Sequence, residues 1–209
     1  MKFRNSAVAA TVAAIGITAI GQQAVAAEAG QELEVYAGAS FGDRIVDFPA
    51  TGNAMELDDD ATFGARYTFW NGSRFGLQLA GGITPTTIKY TQGGDTDVDV
   101  YTFDANVVVD LTPQLAVGGH KLQTYAAIGA GYALADADGA IVGTVGSTVK
   151  ALDDDGGFTA NAGLGAKLYF TDSLYAGLDA RYRYIDKLVK TDGRDLSTIE
   201  TTLSIGYRF

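Results

Sequence analysis

The sequence predicts an all-β fold: an eight-stranded antiparallel up-and-down transmembrane β-barrel preceded by a signal peptide. Three observations predict it. Alternation of apolar with small or polar residues recurs in eight segments of 9 to 13 residues. A tilted membrane strand needs about 9–11 residues, whereas soluble strands have a mode near 5–6. Short and long connections alternate between the segments. Glycine is abundant (27 of 209), proline is scarce (3), and no later stretch reaches the roughly 18 consecutive apolar residues of a membrane helix.

The first residues read as an address. Lys2 and Arg4 are followed by an uncharged apolar or small run, Ala7 to Gly21, too short to span a bilayer. Ala24-Val25-Ala26 and Val25-Ala26-Ala27 both offer small residues at the −3 and −1 positions of a signal-peptidase site. The expected division is a signal peptide over 1–27, cleaved after Ala26 or Ala27, and a barrel domain over 28–209. Removing Lys2 and Arg4 from the 15 bases leaves 13 against 25 acids, a net charge of −12. That acidity argues against nucleic-acid binding, which needs a basic face. The chain has no cysteine, so an exported fold draws on no disulfide.

Each segment divides into two faces. Leu33 to Phe41 sets Leu33, Val35, Ala37, Ala39 and Phe41 against Glu34, Tyr36, Gly38 and Ser40. Ala61 to Phe69 sets Phe63, Tyr67 and Phe69 against Thr62, Gly64, Arg66 and Thr68. Arg74 to Ile83 carries Phe75, Leu77 and Leu79 opposite Gly76, Gln78 and Ala80. Val100 to Leu111 carries Tyr101, Phe103, Val107 and Val109 opposite Asp104, Asn106 and Asp110. Leu122 to Tyr132 and Phe158 to Phe170 repeat the pattern, the latter with Lys167 on its polar face. Leu174 to Tyr184 places Asp179, Arg181 and Arg183 opposite Leu178, Ala180 and Tyr182. Ile199 to Phe209 places Glu200, Thr202 and Arg208 opposite Leu203, Ile205 and Tyr207.

Asn71-Gly72-Ser73 and Thr171-Asp172-Ser173 are tight turns, and 112–121 is a somewhat longer one. The other connections, 42–60, 84–99, 133–157 and 185–198, are expected as long loops. Short turns at one end and long loops at the other are the outer-membrane arrangement, with the short turns periplasmic. Aromatics end the apolar faces: Phe69, Phe75, Phe170, Tyr207 and Phe209 near the periplasmic rim, and Phe41, Tyr101, Phe103, Tyr132, Phe158, Tyr182 and Tyr184 near the outer rim. A soluble barrel would solvate its polar face with Lys, Asp and Glu. Here that face is mostly Gly, Ala, Ser and Thr, which suits a narrow packed interior.

The chain resembles the OmpA-type family of small outer-membrane barrels. Tyr125-Ala-Ala-Ile-Gly-Ala-Gly-Tyr132, the strand Leu174 to Tyr184 and the closing Ser204-Ile-Gly-Tyr-Arg-Phe209 carry the resemblance. It implies location in the outer membrane of a Gram-negative bacterium, contact with lipid and lipopolysaccharide, handling by the barrel-assembly machinery and a monomeric state. Tyr207 and Phe209 are similar to the terminal assembly signal of such barrels. With the chain ending at Phe209, no peptidoglycan-binding domain is expected.

Eight strands leave an interior that side chains just fill. Charges there must pair, because desolvation costs several kcal/mol per ion. The expected structural polar network comprises Arg66, Gln78, Asp104, Lys167, Asp179, Arg181, Arg183 and Glu200. Pairing Tyr184 with Ile199 would set Arg183 opposite Glu200, and pairing Phe69 with Phe75 would set Arg66 opposite Gln78. Arg66, Asp104 and Asp179 are expected in one mid-barrel network.

The long loops carry most of the acids, notably Asp58-Asp59-Asp60, Asp136-Ala-Asp-Gly139 and Asp153-Asp154-Asp155. These lack the full spacing of a calcium loop and read as solvated charge that keeps loops extended. His120 falls in a periplasmic turn, away from the outer rim where a lipid-modifying triad would be needed. Gly129-Ala-Gly131 and Gly163-Leu-Gly165 lie within strands and are not phosphate loops. No catalytic, metal or cofactor site is nominated. The expected role is envelope integrity or surface interaction through acidic loops, including a surface ligand. The alternative is a narrow, porin-like channel for ions or small solutes.

Overall fold

The computed structural model describes residues 30–42, 44–48, 53–57, 60–71, 74–90, 96–112, 115–137, 143–145, 148–150, 155–189 and 194–209. The expected signal peptide, 1–27, with both cleavage positions, lies outside the described residues. So do Asp58, Asp59, Asp138, Gly139, Asp153 and Asp154 of the acidic motifs.

Eight long strands follow the eight alternating segments: β1 (Gln31–Gly42), β2 (Asp60–Trp70), β3 (Phe75–Tyr90), β4 (Thr96–Asp110), β5 (His120–Ala137), β6 (Asp155–Tyr169), β7 (Leu174–Val189) and β8 (Arg194–Arg208). Each pairs antiparallel with its neighbours in sequence, and β1 pairs with β8 over eleven residue pairs from Glu32↔Arg208 to Gly42↔Thr198. The ladder therefore closes into a barrel without an edge. Closure matters in lipid, where no water can satisfy an unpaired backbone group.

Side chains obey the alternation. Val35, Leu77, Leu79, Val107, Ile128, Leu164, Leu178, Leu203 and Ile205 lie exposed on the outer wall, and their strand neighbours, buried or half-buried, face the lumen. Phe69, Phe75, Phe170, Tyr207 and Phe209 ring the short-turn end. Phe41, Phe103, Tyr132, Phe158, Tyr182 and Tyr184 ring the other.

Two features differ from the sequence expectation. First, register: Tyr182, not Tyr184, pairs with Ile199, and Phe69 pairs with Leu77, not Phe75. Arg183 therefore sits opposite Thr198, and Arg66 opposite Ala80. A slip of two residues leaves every side chain on its original face, so face patterning alone does not set it.

Second, the connections expected as loops are largely strand. β4, β5 and β7 each run five residues past the upper aromatics Tyr101, Tyr132 and Tyr184, roughly 15 Å further along the strand at about 3.3 Å per residue. The short strands Arg44–Phe48 and Asn53–Leu57 pair with each other, and the second pairs with the top of β3, continuing the wall above β1 and β2. Pro85 lies within β3 at an exposed position with a Cα partner on β4 only, Asp99, an edge setting that tolerates a residue without N–H.

Above the aromatic ring the polarity of the alternation inverts. Asp97, Asp136 and Pro85 face outward, while Val98, Val100, Ala133, Ala135 and Ile185 are buried inside. Inside the belt the outer face is apolar because it meets hydrocarbon. Beyond it the wall stands in water, and apolar side chains turn inward as in a soluble protein.

The other end is compact. The Thr171 hydroxyl accepts hydrogen bonds from the backbone N–H groups of Ser173 and Leu174 at 3.3 and 2.9 Å, tying the β6–β7 turn. The 112–121 connection holds a strand pair, Leu115–Val117 with His120–Leu122, around Gly118 and Gly119 at φ of 61° and 82°. Both angles lie in the left-handed region that a two-residue hairpin turn requires and that glycine adopts without strain.

The belt generates a position-dependent prediction. Leu164→Arg, on an outward residue 62% exposed in the belt, should lower the stability of the folded barrel in lipid vesicles by roughly 2–4 kcal/mol. Asp136→Arg, on the projecting wall, should leave it within about 0.5 kcal/mol of the parent. Urea titration of vesicle-inserted protein reads both.

Candidate functional site

The lumen holds the chemistry. Its floor begins near the short-turn end with Glu32 and Glu34 on β1 and Lys167 on β6. Lys167 Nζ lies 2.7 Å from Glu32 Oε2 and 3.3 Å from Glu34 Oε2. The Tyr169 hydroxyl donates to Glu32 at 2.7 Å, and the Tyr175 hydroxyl donates to Glu34 at 3.1 Å. The ammonium also sits 4.8 and 5.0 Å from the ring centroids of Tyr175 and Tyr125, within cation–π range. Gln123 donates to Asp110 at 2.8 Å beside this group.

One tier higher, Arg66 ties three strands together. Its Nη1 donates to Glu34 at 2.9 Å, and its Nη2 donates to Asp179 on β7 and Thr202 on β8 at 3.2 and 3.1 Å. The guanidinium lies over the Tyr36 ring at 4.1 Å. The Tyr125 hydroxyl donates to the other Asp179 oxygen at 2.9 Å. Arg181 Nε lies 3.4 Å from Asp179 Oδ1, and its Nη2 donates to Gln78 at 3.2 Å. Gln78 in turn donates to Thr68 at 3.2 Å and accepts from Asn106 at 3.4 Å.

A second cluster lies toward the long-connection end. Arg183 Nη1 donates to both oxygens of Asp104 at 2.8 Å, and its Nε donates to Glu200 at 2.8 Å. The Thr159 hydroxyl adds a bond to Asp104 at 2.9 Å. Charge-assisted and forked bonds of this kind are shorter and stronger than neutral ones. They answer the desolvation of ions taken wholly from water.

All eight residues expected in the polar network are buried in the lumen. Arg66 and Asp179 meet directly. Asp104 does not join them as expected: it stands higher on the wall, with Arg183 and Glu200. Arg183 reaches Glu200 diagonally, since Arg181 is the residue opposite Glu200 in the ladder. Other members were missed, among them Glu34, which the sequence had already placed on the inner face. Glu32 lies just before the first alternating segment, one step along the same face as Glu34. Tyr36, on the inner face of the first segment, was given no role, and neither were Tyr125, Tyr169 and Tyr175. Their signal was glycine: the ring of Tyr175 occupies the space where Gly206 has no side chain, and Tyr36 does the same over Gly64 and Gly82. A large ring against a bare backbone fills a narrow barrel without bending its wall.

The remaining candidates lie at the short-turn rim. Tyr207 and Phe209 are exposed and pack edge to face at 5.2 Å. His120 is exposed and meets the Phe170 ring at 6.2 Å.

Arg66 is 2% exposed and bonded to three strands. Arg66→Ala removes the guanidinium shared by two buried carboxylates, Glu34 and Asp179, and should cost about 3–5 kcal/mol of stability. Arg66→Lys, keeping the charge and losing the fork, should cost less. Equilibrium unfolding of the refolded barrel compares them.

Over residues 10–209 the chain matches the family described as outer membrane protein beta-barrel domain. No curated protein sequence matches it. Among solved structures it is similar to the crystal structure of Neisserial surface protein A (13% identity, TM-score 0.55, covering 86% of this chain and 95% of that one). It is similar as well to the outer membrane protein OprG from Pseudomonas aeruginosa (12%, 0.52, 85% and 95%). A third is the solid-state NMR structure of the outer membrane protein AlkL in lipid bilayers (14%, 0.53, 90% and 93%). At such identities the likeness is one of fold. With its closed eight-stranded wall, outward apolar belt and charged lumen, the chain belongs to the outer membrane protein beta-barrel domain family and resides in the outer membrane of a Gram-negative bacterium.

Proposed function

We propose that this barrel is an envelope protein whose lumen is closed by its own ion pairs and whose work is done at the extracellular end. The observation that carries the reading is Arg66. One guanidinium joins β1, β7 and β8 across the interior, in a barrel whose eight strands leave room only for side chains. Lys167 and Arg183 close the tiers below and above it. An ion crossing the barrel would have to break these pairs in succession, each break leaving a buried charge without its partner.

The projecting wall and the acidic loop sequences then form the part that meets the surroundings, where envelope integrity or a surface ligand is served. The outward belt contacts lipid and lipopolysaccharide, and Tyr207 and Phe209 serve the assembly machinery. Nothing in this reading calls for a second copy of the chain, and the barrel acts as a monomer.

Planar-bilayer recording on the refolded protein tests the closure. The expected result is no discrete conductance steps from the parent protein. Steps that vanish when Arg66 or Asp104 is replaced would overturn it in favour of a narrow channel.

A further inference from the structure

The extracellular connection between β5 and β6 joins two unlike compositions. Residues 133–157 hold five acids and a single base, Lys150. Yet the run from Gly139 to Val149 within it carries no charge and no proline. Six of its eleven residues are valine, isoleucine or threonine, the types that favour strands. The acids flank it, with Asp136 and Asp138 before and Asp153, Asp154 and Asp155 after.

Gly143–Val145 and Thr148–Lys150 form an antiparallel hairpin, with Thr148 opposite Val145, Val149 opposite Thr144 and Lys150 opposite Gly143. Gly146 and Ser147 between them are a two-residue turn pair in sequence. Among the described residues the hairpin is a two-stranded sheet of its own and pairs with neither β5 nor β6. The closing pair of such a hairpin, Val145 and Thr148, is bonded across the turn. The N–H and C=O of Thr144 and Val149 therefore point away from it, one residue to each edge. Two strands alone are marginally stable in water, and a third strand stabilises them. Natural edges are guarded by lysine, proline or bulges against chance pairing. The Thr148–Lys150 edge has Lys150. The Gly143–Val145 edge continues the uncharged Gly139 to Val142 and has neither charge nor proline.

We propose that the Gly143–Val145 edge is a docking site for an extended basic polypeptide, which adds to the hairpin as its third strand. Strand addition supplies main-chain hydrogen bonds to any extended partner. The flanking acids select its charge. Asp136, exposed at the top of β5, and Asp138 two residues on in sequence attract a cationic chain and speed its encounter. The same acids disfavour a second copy of this chain, which would set one five-acid connection against another. The proposal names the partner class of the extracellular end, and so rests on the reading that this end does the protein's work.

Fluorescence anisotropy of a labelled synthetic peptide, titrated with the refolded full-length barrel in detergent micelles, tests it. The peptide alternates valine and threonine and carries lysines at both ends. The expected result is saturable binding that weakens with added salt. Thr144→Pro removes the outward N–H while sparing the hairpin's own bonds, and should abolish binding. Val149→Pro, on the other edge, should leave it unchanged. Asp136→Asn combined with Asp138→Asn should weaken it severalfold. A peptide with glutamates in place of the lysines should bind at least about tenfold more weakly. No saturable binding, equal binding by Thr144→Pro, loss confined to Val149→Pro, or equal binding of the glutamate peptide would each overturn the proposal. So would a dimer of the parent barrel that Thr144→Pro dissolves, because a second copy would then occupy the edge. Heat-modifiable gel mobility verifies that each variant is folded. Should Thr144→Pro fail that check, the lysine peptide N-methylated throughout decides, and its equal binding overturns the site. Channel steps from the parent protein would contradict the closed-barrel reading without altering this isotherm, and a peptide that fails to bind would leave the bilayer recording unchanged.

Discussion

The constraint that organises this molecule is the absence of water around the middle of its outer wall. Hydrocarbon accepts neither an unpaired peptide group nor a charge. The first demand closes the ladder between β1 and β8. The second sends Glu32, Glu34, Arg66, Asp104, Lys167, Asp179, Arg181, Arg183 and Glu200 into a lumen too narrow for bulk water to solvate them. There they can be tolerated only as bonded pairs. The clusters are thus consequences of the outer surface. They also join strands that are not neighbours in the ladder, as Arg66 does between β1 and β7.

The same constraint explains the inner glycines. A lumen that carries long guanidinium and phenol side chains needs bare backbone elsewhere on its circumference. Gly64, Gly82 and Gly206 supply it to Tyr36 and Tyr175, whose hydroxyls and rings in turn serve Glu34, Arg66 and Lys167. Where the wall leaves the hydrocarbon the demand lapses and the pattern reverses. Val98 and Val100 turn in, and Asp97 turns out. The barrel is therefore a membrane protein along part of its height and behaves like a soluble one above it.

Most of the fold was legible because period-two alternation over nine or more residues has few other readings. Facing was legible for Arg66, Asp179 and Arg183 for the same reason. Register was not, because a shift of two residues conserves every face; it rests on turn geometry, as at Thr171. Height was not legible either, and so Asp104 was grouped with Arg66 when it belongs with Arg183. The strand ends were misjudged where polarity inverts. Pro85, Asp99 and Asp136 look like loop residues to a reader expecting an apolar outer face, yet they continue the ladder in water. Tyr36 was legible as an inner-face residue, but a phenol becomes a network member only once its neighbours are known.

The central claim is that the apolar stripe of each strand faces lipid and the charged stripe faces the lumen. The chain has no native cysteine, so single cysteines can be placed at Ile128, Leu164 and Leu203 on one stripe and at Thr202 and Asn106 on the other. Nitroxide labels at the first three should collide with oxygen dissolved in the bilayer and be shielded from a water-soluble paramagnetic reagent. Labels at the last two should be shielded from both. Lipid exposure at Thr202 or Asn106, with protection at Leu164 and Leu203, would contradict the account.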